Sequence, residues 1–140
     1  MRARLLLILL LLIPACKANP YATVPDGELH AKAKQLALPE RYALSVEVLH
    51  SRIPPRPILA GDVAALGPSA WTYVFAQATS GGFAELSQAL PVLSAFKRRC
   101  STQEIAQLRA HADHVSAADT ASALKGAIDS LCGADLPAGD

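Results

Sequence analysis

The stretch CSTQEIAQLRAHADHVSAADTASALKGAIDSLC, residues 100–132, predicts two antiparallel helices with a cysteine at each end. Ser101, followed three residues later by Glu104, is a capping box that starts the first helix. Apolar residues then recur at steps of three and four, which is typical of one apolar stripe along a helix. The residues of this stripe are Ile105, Leu108, Ala112 and Val115.

The second half of the stretch predicts a return helix of nearly equal length. Ser116 with Asp119 repeats the start signal, and Gly133 is a typical helix stop. Its apolar stripe consists of Ala117, Ala121, Leu124, Ile128 and Leu131. Because the two helices have similar lengths, Cys100 and Cys132 come back to the same end of the hairpin. We therefore expect a disulfide between them.

The first 18 residues have the features of an export signal. Arg2 and Arg4 are followed by an unbroken apolar run over residues 5–13, and then by a proline and small residues. A membrane-spanning helix needs about 20 apolar residues, so a permanent transmembrane anchor is the weaker interpretation. We expect an exported protein.

The cleavage site decides where such a protein resides. The sequence IPAC, residues 13–16, resembles the lipobox of bacterial lipoproteins, in which the cysteine is lipidated and becomes the new N-terminus, although Pro14 is atypical there. Ordinary cleavage after Ala18 is the alternative. Of the three cysteines, removal of Cys16 leaves one pair for an oxidising compartment. We expect a periplasmic protein or a membrane-anchored bacterial lipoprotein, with the membrane reached through a lipid on Cys16.

The remainder divides into a polar segment over residues 19–25, a helical domain over residues 26–133 and a flexible tail over residues 134–140. If the leader is cleaved before Cys16, Arg2 and Arg4 are removed and 11 of the 13 Lys and Arg residues remain against 12 Asp and Glu, which changes the formal net charge from +1 to −1. This balance argues against nucleic-acid binding. The basic run at residues 97–99 lies where a helix ends and complements the helix dipole there.

The helical domain is rich in alanine and leucine and is interrupted by prolines, which predicts an all-α fold of six or seven short helices. We expect antiparallel hairpins that form an irregular solenoid or a bundle. Asp26 is the predicted cap of the first helix, and Pro39 and Pro68 open later ones. Pro91 should kink or split its helix. Trp71 begins an apolar stripe, which assigns it to the core.

Signals for chemistry are weak. The zinc motif His-Glu-x-x-His and the nucleophile motif Gly-x-Ser-x-Gly are absent from the sequence. His111 and His114 share a helical face beside Asp113, but a structural zinc needs four ligands, so exposed polar residues are the better interpretation. We therefore predict no catalytic, cofactor-binding or metal-binding residue, and no enzyme.

From Trp71 onward the sequence resembles the end of the helical C-terminal domain of aminopeptidase N-type zinc metallopeptidases, a domain also found in endoplasmic-reticulum aminopeptidases. The resemblance depends on Ala70, Trp71 and Val74 at a helix start, on the junction from Phe96 to Cys100, Ser101 and Glu104, and on a closing helix with Thr120, Ala123, Leu124, Ile128 and Cys132. It implies a curved helical solenoid that covers a separate catalytic domain. The zinc ligands of that family lie in the catalytic domain, so the resemblance implies no catalytic residue here.

A solenoid that lacks its preceding helix pair exposes an apolar face. That face would comprise Leu29, Ala33, Leu36 and Leu38. We expect self-association, or a protein or peptide partner, through these N-terminal helices. The leading expectation is a non-catalytic exported helical domain that acts by protein or peptide contact. The alternatives are an auxiliary part of an aminopeptidase with a separately encoded catalytic domain, and an unrelated periplasmic lipoprotein that acts as an inhibitor or assembly factor.

Overall fold

The computed structural model describes residues 18–133 and confirms the all-α prediction for that part of the chain. The leader with Cys16 and the tail at 134–140 lie outside the described residues. Seven helices follow one another between residues 26 and 131. They are α1 (Asp26–Lys34), α2 (Leu38–Leu49), α3 (Ala60–Ala64), α4 (Pro68–Ser80), α5 (Phe83–Ser94), α6 (Thr102–Val115) and α7 (Ala118–Leu131).

Helix α5 lies at the centre of the fold and packs against α2, α3, α4, α6 and α7. In a solenoid, each unit touches only its neighbours along the chain, so this arrangement is a bundle. One wide face of α5 supplies the core with residues that are at most 6% exposed. These are Leu86, Ala89, Leu90, Val92 and Leu93.

Pro91 lies inside α5, and the helix continues through it to Ser94 without the predicted split. Proline has no N–H, so the carbonyl of Ser87, four residues earlier, receives no helical hydrogen bond from position 91. An interior proline costs about 3 kcal/mol. Leu90 and Val92 on either side of it are buried, and their packing holds the helix together.

The hairpin of α6 and α7 has the predicted start. The Ser101 hydroxyl accepts a hydrogen bond from the Glu104 backbone N–H at 3.1 Å, and the Glu104 carboxylate accepts one from the Ser101 N–H at 2.7 Å. The prediction that Ser116 caps the start of α7 is wrong. The cap of α7 is Ala117, with no side-chain capping bond, because the Ser116 hydroxyl donates back to the Ala112 carbonyl of α6 at 2.6 Å.

Three cross-links join the two helices of this hairpin. Arg109 on α6 donates from two nitrogens to Asp129 on α7, at 2.6 and 3.0 Å. Nearer the turn, Lys125 on α7 pairs with Asp113 on α6 at 2.6 Å. At the open end, a disulfide joins Cys100 to Cys132 across a Cα–Cα distance of 4.9 Å. Exposed ion pairs contribute little, so the disulfide is the strongest of the three links.

The N-terminal helices pack as a second small core, and a buried arginine holds them in place. Arg41 on α2 is 9% exposed, and its guanidinium donates to the carbonyls of Lys34 and Leu36 at the end of α1. It also donates to the carbonyl of Asp62 on α3 at 3.3 Å. One side chain therefore fixes the relative positions of α1, α2 and α3.

Asp26 is not the cap of α1. The cap position is Pro25, without a side-chain hydrogen bond, and Asp26 is the first helical residue. Its carboxylate instead pairs with Arg52 at 3.1 Å. Arg52 also donates to the backbone carbonyls of Tyr21, Ala22 and Val24 at 2.6 to 2.8 Å. The segment before α1 is thus fastened to the residues that follow α2.

The disulfide gives a direct prediction for stability. Replacing Cys100 and Cys132 together by serine should lower the free energy of unfolding by roughly 3 to 4 kcal/mol, the loop-closure entropy of about 30 residues. Urea unfolding at equilibrium measures the change. The parent protein unfolded in a reducing agent should match the double variant. Equal stability of oxidised and reduced parent protein would contradict the assignment.

Candidate functional site

The predicted interaction face is part of the protein's own interior. Leu29 is 1% exposed and Ala33 is 0% exposed, and both pack in the small core with α2 and with Leu59 beside α3. Leu36 and Leu38 are half-buried against the two cores. The expected exposure of this face is therefore wrong for the folded chain. Helices α2 and α3 cover the side that a missing helix pair was expected to cover.

A cluster of polar side chains joins the start of α6 to α4 and to the connection after α5. The Glu104 carboxylate accepts a hydrogen bond from the Trp71 indole N–H at 2.8 Å and from the Arg98 guanidinium at 2.6 Å. The guanidinium also lies over the Trp71 ring, 3.9 Å from its centroid. Phe96 meets the same ring edge-on at 5.4 Å.

These contacts set the charge state of Glu104. Burial alone raises the pKa of its carboxyl, but the Ser101 N–H, the Trp71 indole and Arg98 together outweigh burial, and the pKa lies below its usual value. The carboxylate stays ionised at neutral pH and joins α4 to the start of α6. The basic residues 97–99 were expected to complement the helix dipole at the end of α5. Arg98 instead bonds to Glu104 on α6. This cluster fixes helices in place and offers no group for proton transfer.

The two histidines lie together on α6, as their spacing predicts. The rings of His111 and His114 are 6.5 Å apart, centroid to centroid, and line a surface hollow with Thr79 and Gln107. Asp113 between them pairs with Lys125 instead. Among residues 18–133, no three His, Cys, Asp or Glu side chains come together as a metal site.

Tyr42 has the most strongly shifted titration in the described part of the chain. Burial raises its pKa to about 12, and nearby Tyr73 and Glu85 add to the effect. The Tyr42 ring also packs edge-on against Tyr73 at a centroid distance of 5.7 Å. The shift moves the phenol further from neutral pH, so Tyr42 is unsuited to acid–base catalysis there.

An apolar groove lies on the surface between α5 and α7. Its volume is about 450 Å³. The α5 wall consists of Ser87, Leu90, Pro91 and Ser94, and the α7 wall of Leu124, Ala127, Ser130 and Leu131. The groove contains no charged side chain, and Leu131 places one end of it beside the disulfide at Cys132.

Two hydroxyls of the groove walls, on Ser87 and Ser130, are already used as hydrogen-bond donors. The hydroxyls of Ser87 and Ser130 already donate to backbone carbonyls of their own helices, at 2.9 and 3.1 Å, which leaves their lone pairs to accept. The carbonyl of Ser87 also lacks a helical donor because Pro91 lies four residues later. From the sequence, Pro91 was predicted only to kink or split its helix, and its place in a groove wall was not predicted.

Comparison of the chain with protein-family profiles, with characterised proteins and with solved structures finds no match. The resemblance to aminopeptidase C-terminal domains therefore stays a prediction. Within residues 18–133, every helix is too short or too polar to cross a membrane.

The Glu104 cluster predicts a pH dependence of stability. A pKa below the unfolded value means that the carboxylate stabilises the fold above about pH 4.3, and that this contribution is lost as pH falls through the folded pKa. Glu104→Gln should lower the free energy of unfolding at pH 7 by about 1.5 to 3 kcal/mol, the range for hydrogen bonds to a charged group.

Denaturant unfolding between pH 3 and pH 7 measures both effects. The difference between the parent protein and Glu104→Gln should shrink at the acidic end. Glu40→Gln, at an exposed position on α2, serves as the matched control and should change little. A constant difference at all pH values would exclude ionisation of Glu104 as the cause.

Proposed function

We propose that this protein is a non-catalytic, membrane-anchored helical module of the bacterial envelope that binds an uncharged apolar peptide segment of a partner protein. The site is the groove between α5 and α7. The observation that carries the proposal is the location of Pro91, which is unfavourable for the helix and lies in the groove wall. Departures from local helix preference are expected where function requires them.

The size and surface of the groove support a peptide ligand. A volume of about 450 Å³ falls in the usual range for ligand sites, roughly 300 to 1,000 Å³. Leu90, Leu124 and Leu131 provide apolar contact. Because the walls carry no charge, a charged ligand side chain would lose hydration without gaining a partner, so the bound segment should be uncharged.

The backbone of the bound segment would supply the polar contacts. A peptide offers one N–H at each residue other than proline, and in this proposal the acceptors would be the Ser87 and Ser130 hydroxyls and the Ser87 carbonyl that Pro91 leaves without a helical donor. In this arrangement the peptide backbone forms the hydrogen bonds, and the leucines of the groove contact the peptide side chains. The specificity should therefore be for apolar character and not for one sequence.

The anchoring part of the proposal comes from the leader. Lipidation at Cys16 would keep the module at the membrane surface, where its groove faces other envelope proteins. Residues 18–133 would then form a domain held close to the bilayer by a short connection. No reaction is assigned to this chain, and its partner is defined by the apolar segment that the groove accepts.

A charge placed in the groove should weaken peptide binding. A displayed library of random nine-residue peptides, selected on the parent protein, should become enriched in leucine, valine and phenylalanine and depleted of charged residues. Ala127→Glu places a carboxylate in the α7 wall, and peptides selected on the parent should lose at least tenfold in affinity for it, since an unpaired buried charge costs more than about 1.4 kcal/mol.

Ala106→Glu is the matched control, because Ala106 is an exposed alanine on α6 outside the groove lining. It should bind the selected peptides like the parent. Equal binding by Ala127→Glu would place the ligand elsewhere, and a library without enrichment would overturn the proposal. Binding that appears only after removal of residues 134–140 would assign the groove to the protein's own tail.

A second variant separates binding from stability. Pro91→Ala restores a donor to the Ser87 carbonyl and should raise the free energy of unfolding by up to about 3 kcal/mol. In the Pro91→Ala variant the Ser87 carbonyl accepts from the new N–H and is no longer free for a ligand. Binding of the selected peptides should therefore weaken. Isothermal calorimetry and thermal unfolding measure the two effects. A stabilised variant with unchanged affinity would show that Pro91 does not serve the groove.

A further inference from the structure

The loop between α2 and α3 carries the most exposed large apolar side chain of the described residues. Ile53 is 99% exposed, whereas the other two exposed large apolar side chains, Leu66 and Phe83, are 37% and 45% exposed. Pro54, Pro55 and Pro57 in the same loop are also exposed. The folded domain therefore leaves the tip of this loop uncovered, although burying an isoleucine side chain is strongly favourable.

The tip also carries a positive charge. Arg56 is exposed, and its backbone N–H donates to the Leu49 carbonyl at 3.1 Å, which fixes the loop against the end of α2. Arg52 at the base of the loop is bonded inward to the segment before α1 and to Asp26. The cation available to a partner at the tip is therefore Arg56, next to an apolar surface of isoleucine and proline.

The chain enters the domain at this same end. The Asn19 amide donates to the Glu47 carbonyl in the last turn of α2 at 3.1 Å, and Arg52 binds the carbonyls of Tyr21 and Ala22. Cys16 precedes Asn19 by three residues. Consecutive Cα atoms are 3.8 Å apart, so a stretch of three residues spans at most about 11 Å.

We propose that the tip of this loop, Ile53–Arg56, is a second membrane contact that docks the anchored domain onto an anionic bilayer surface. This inference rests on the anchoring at residue 16 in the proposed function. A lipid at Cys16 brings the headgroup region to the end of the domain where Ile53 projects. The apolar tip enters the interface while Arg56 stays among anionic headgroups, as amphipathic membrane contacts do.

This contact fixes the orientation of the domain as well as its distance from the membrane. A single flexible tether lets a domain rotate freely, whereas two attachment points at one end hold the opposite end toward the aqueous side. The effective concentration of the loop at the surface is set by the short connection, so a weak contact suffices.

Fluorescence in vesicles tests the docking. The full chain, isolated with its anchoring segment intact, is reconstituted into vesicles of phosphatidylcholine and phosphatidylglycerol that contain brominated lipid, a quencher of tryptophan. Trp71 is the single tryptophan of the protein and is 4% exposed, so it provides a background that the lipid should not quench. Ile53→Trp should be quenched, and Phe83→Trp, at an exposed apolar position on α5, should not.

Charge gives a second readout. In the Ile53→Trp background, Arg56→Gln should reduce the ratio of docked to undocked loop roughly fivefold in anionic vesicles, since one basic residue near such a surface contributes about 1 kcal/mol. The effect should vanish in vesicles of phosphatidylcholine alone. If neither Ile53→Trp nor its Arg56→Gln derivative is quenched in the phosphatidylcholine vesicles, the result supports the anionic surface as the ligand.

Each remaining outcome counts against the inference. If the chain stays with the vesicles but Ile53→Trp is quenched no more than Phe83→Trp, the domain is anchored and the loop does not dock. If the chain fails to associate with vesicles at all, the anchoring and the docking both fail, while peptide binding in the groove is measured separately. Quenching that appears only with an added membrane protein fraction would assign the loop to a protein partner.

Discussion

The carboxylate of Glu104 holds together the parts on which the rest of the bundle depends. It completes the capping box that starts α6, accepts the indole N–H of Trp71 from α4, and pairs with Arg98 from the connection after α5. A charged group in such a position is stable only when its partners are all present, because its desolvation must be offset by hydrogen bonds. One side chain thus joins α4, the connection after α5 and the start of α6.

Helix α5 connects the Glu104 cluster to the rest of the fold through its packing. It contacts five of the other six helices, so a shift of the last hairpin would also change the wall of the groove between α5 and α7. The disulfide and two ion pairs join α7 to α6, and the Glu104 cluster holds the start of α6 against α4. The groove therefore lies between well-fixed helices, which reduces the entropy lost when a ligand binds.

Local signals in the sequence predicted local structure well. The pair Ser101 and Glu104 lies within one helical turn, so its capping box could be read directly, and periodic apolar residues predicted the helices. Asp26 and Ser116 were misinterpreted because each side chain has a partner that the local pattern does not reveal. Asp26 binds Arg52, 26 residues away. Ser116 bonds back to the preceding helix.

Features that depend on distant parts of the chain were beyond such reasoning. Leu29 and Ala33 were predicted to lie on an exposed face. Their periodicity indicates a helix with an apolar side, but it does not indicate which helix packs on that side. Pro91 was recognised as unusual, but Leu124 and Ala127 complete its groove from more than 30 residues away. A groove is made by two helices, and the sequence specifies their relative position only through packing of the whole core.

The arginine that fastens the segment before α1 also determines how the domain responds to a pull. A force applied to the chain before Asn19 reaches the Asn19 amide and then the carbonyls bound by Arg52, before it can reach α1. Several hydrogen bonds that lie near one another share such a load, whereas bonds arranged in series break one at a time. If the chain is anchored through Cys16 as proposed, these hydrogen bonds would bear the load of that anchor before the small core behind them does.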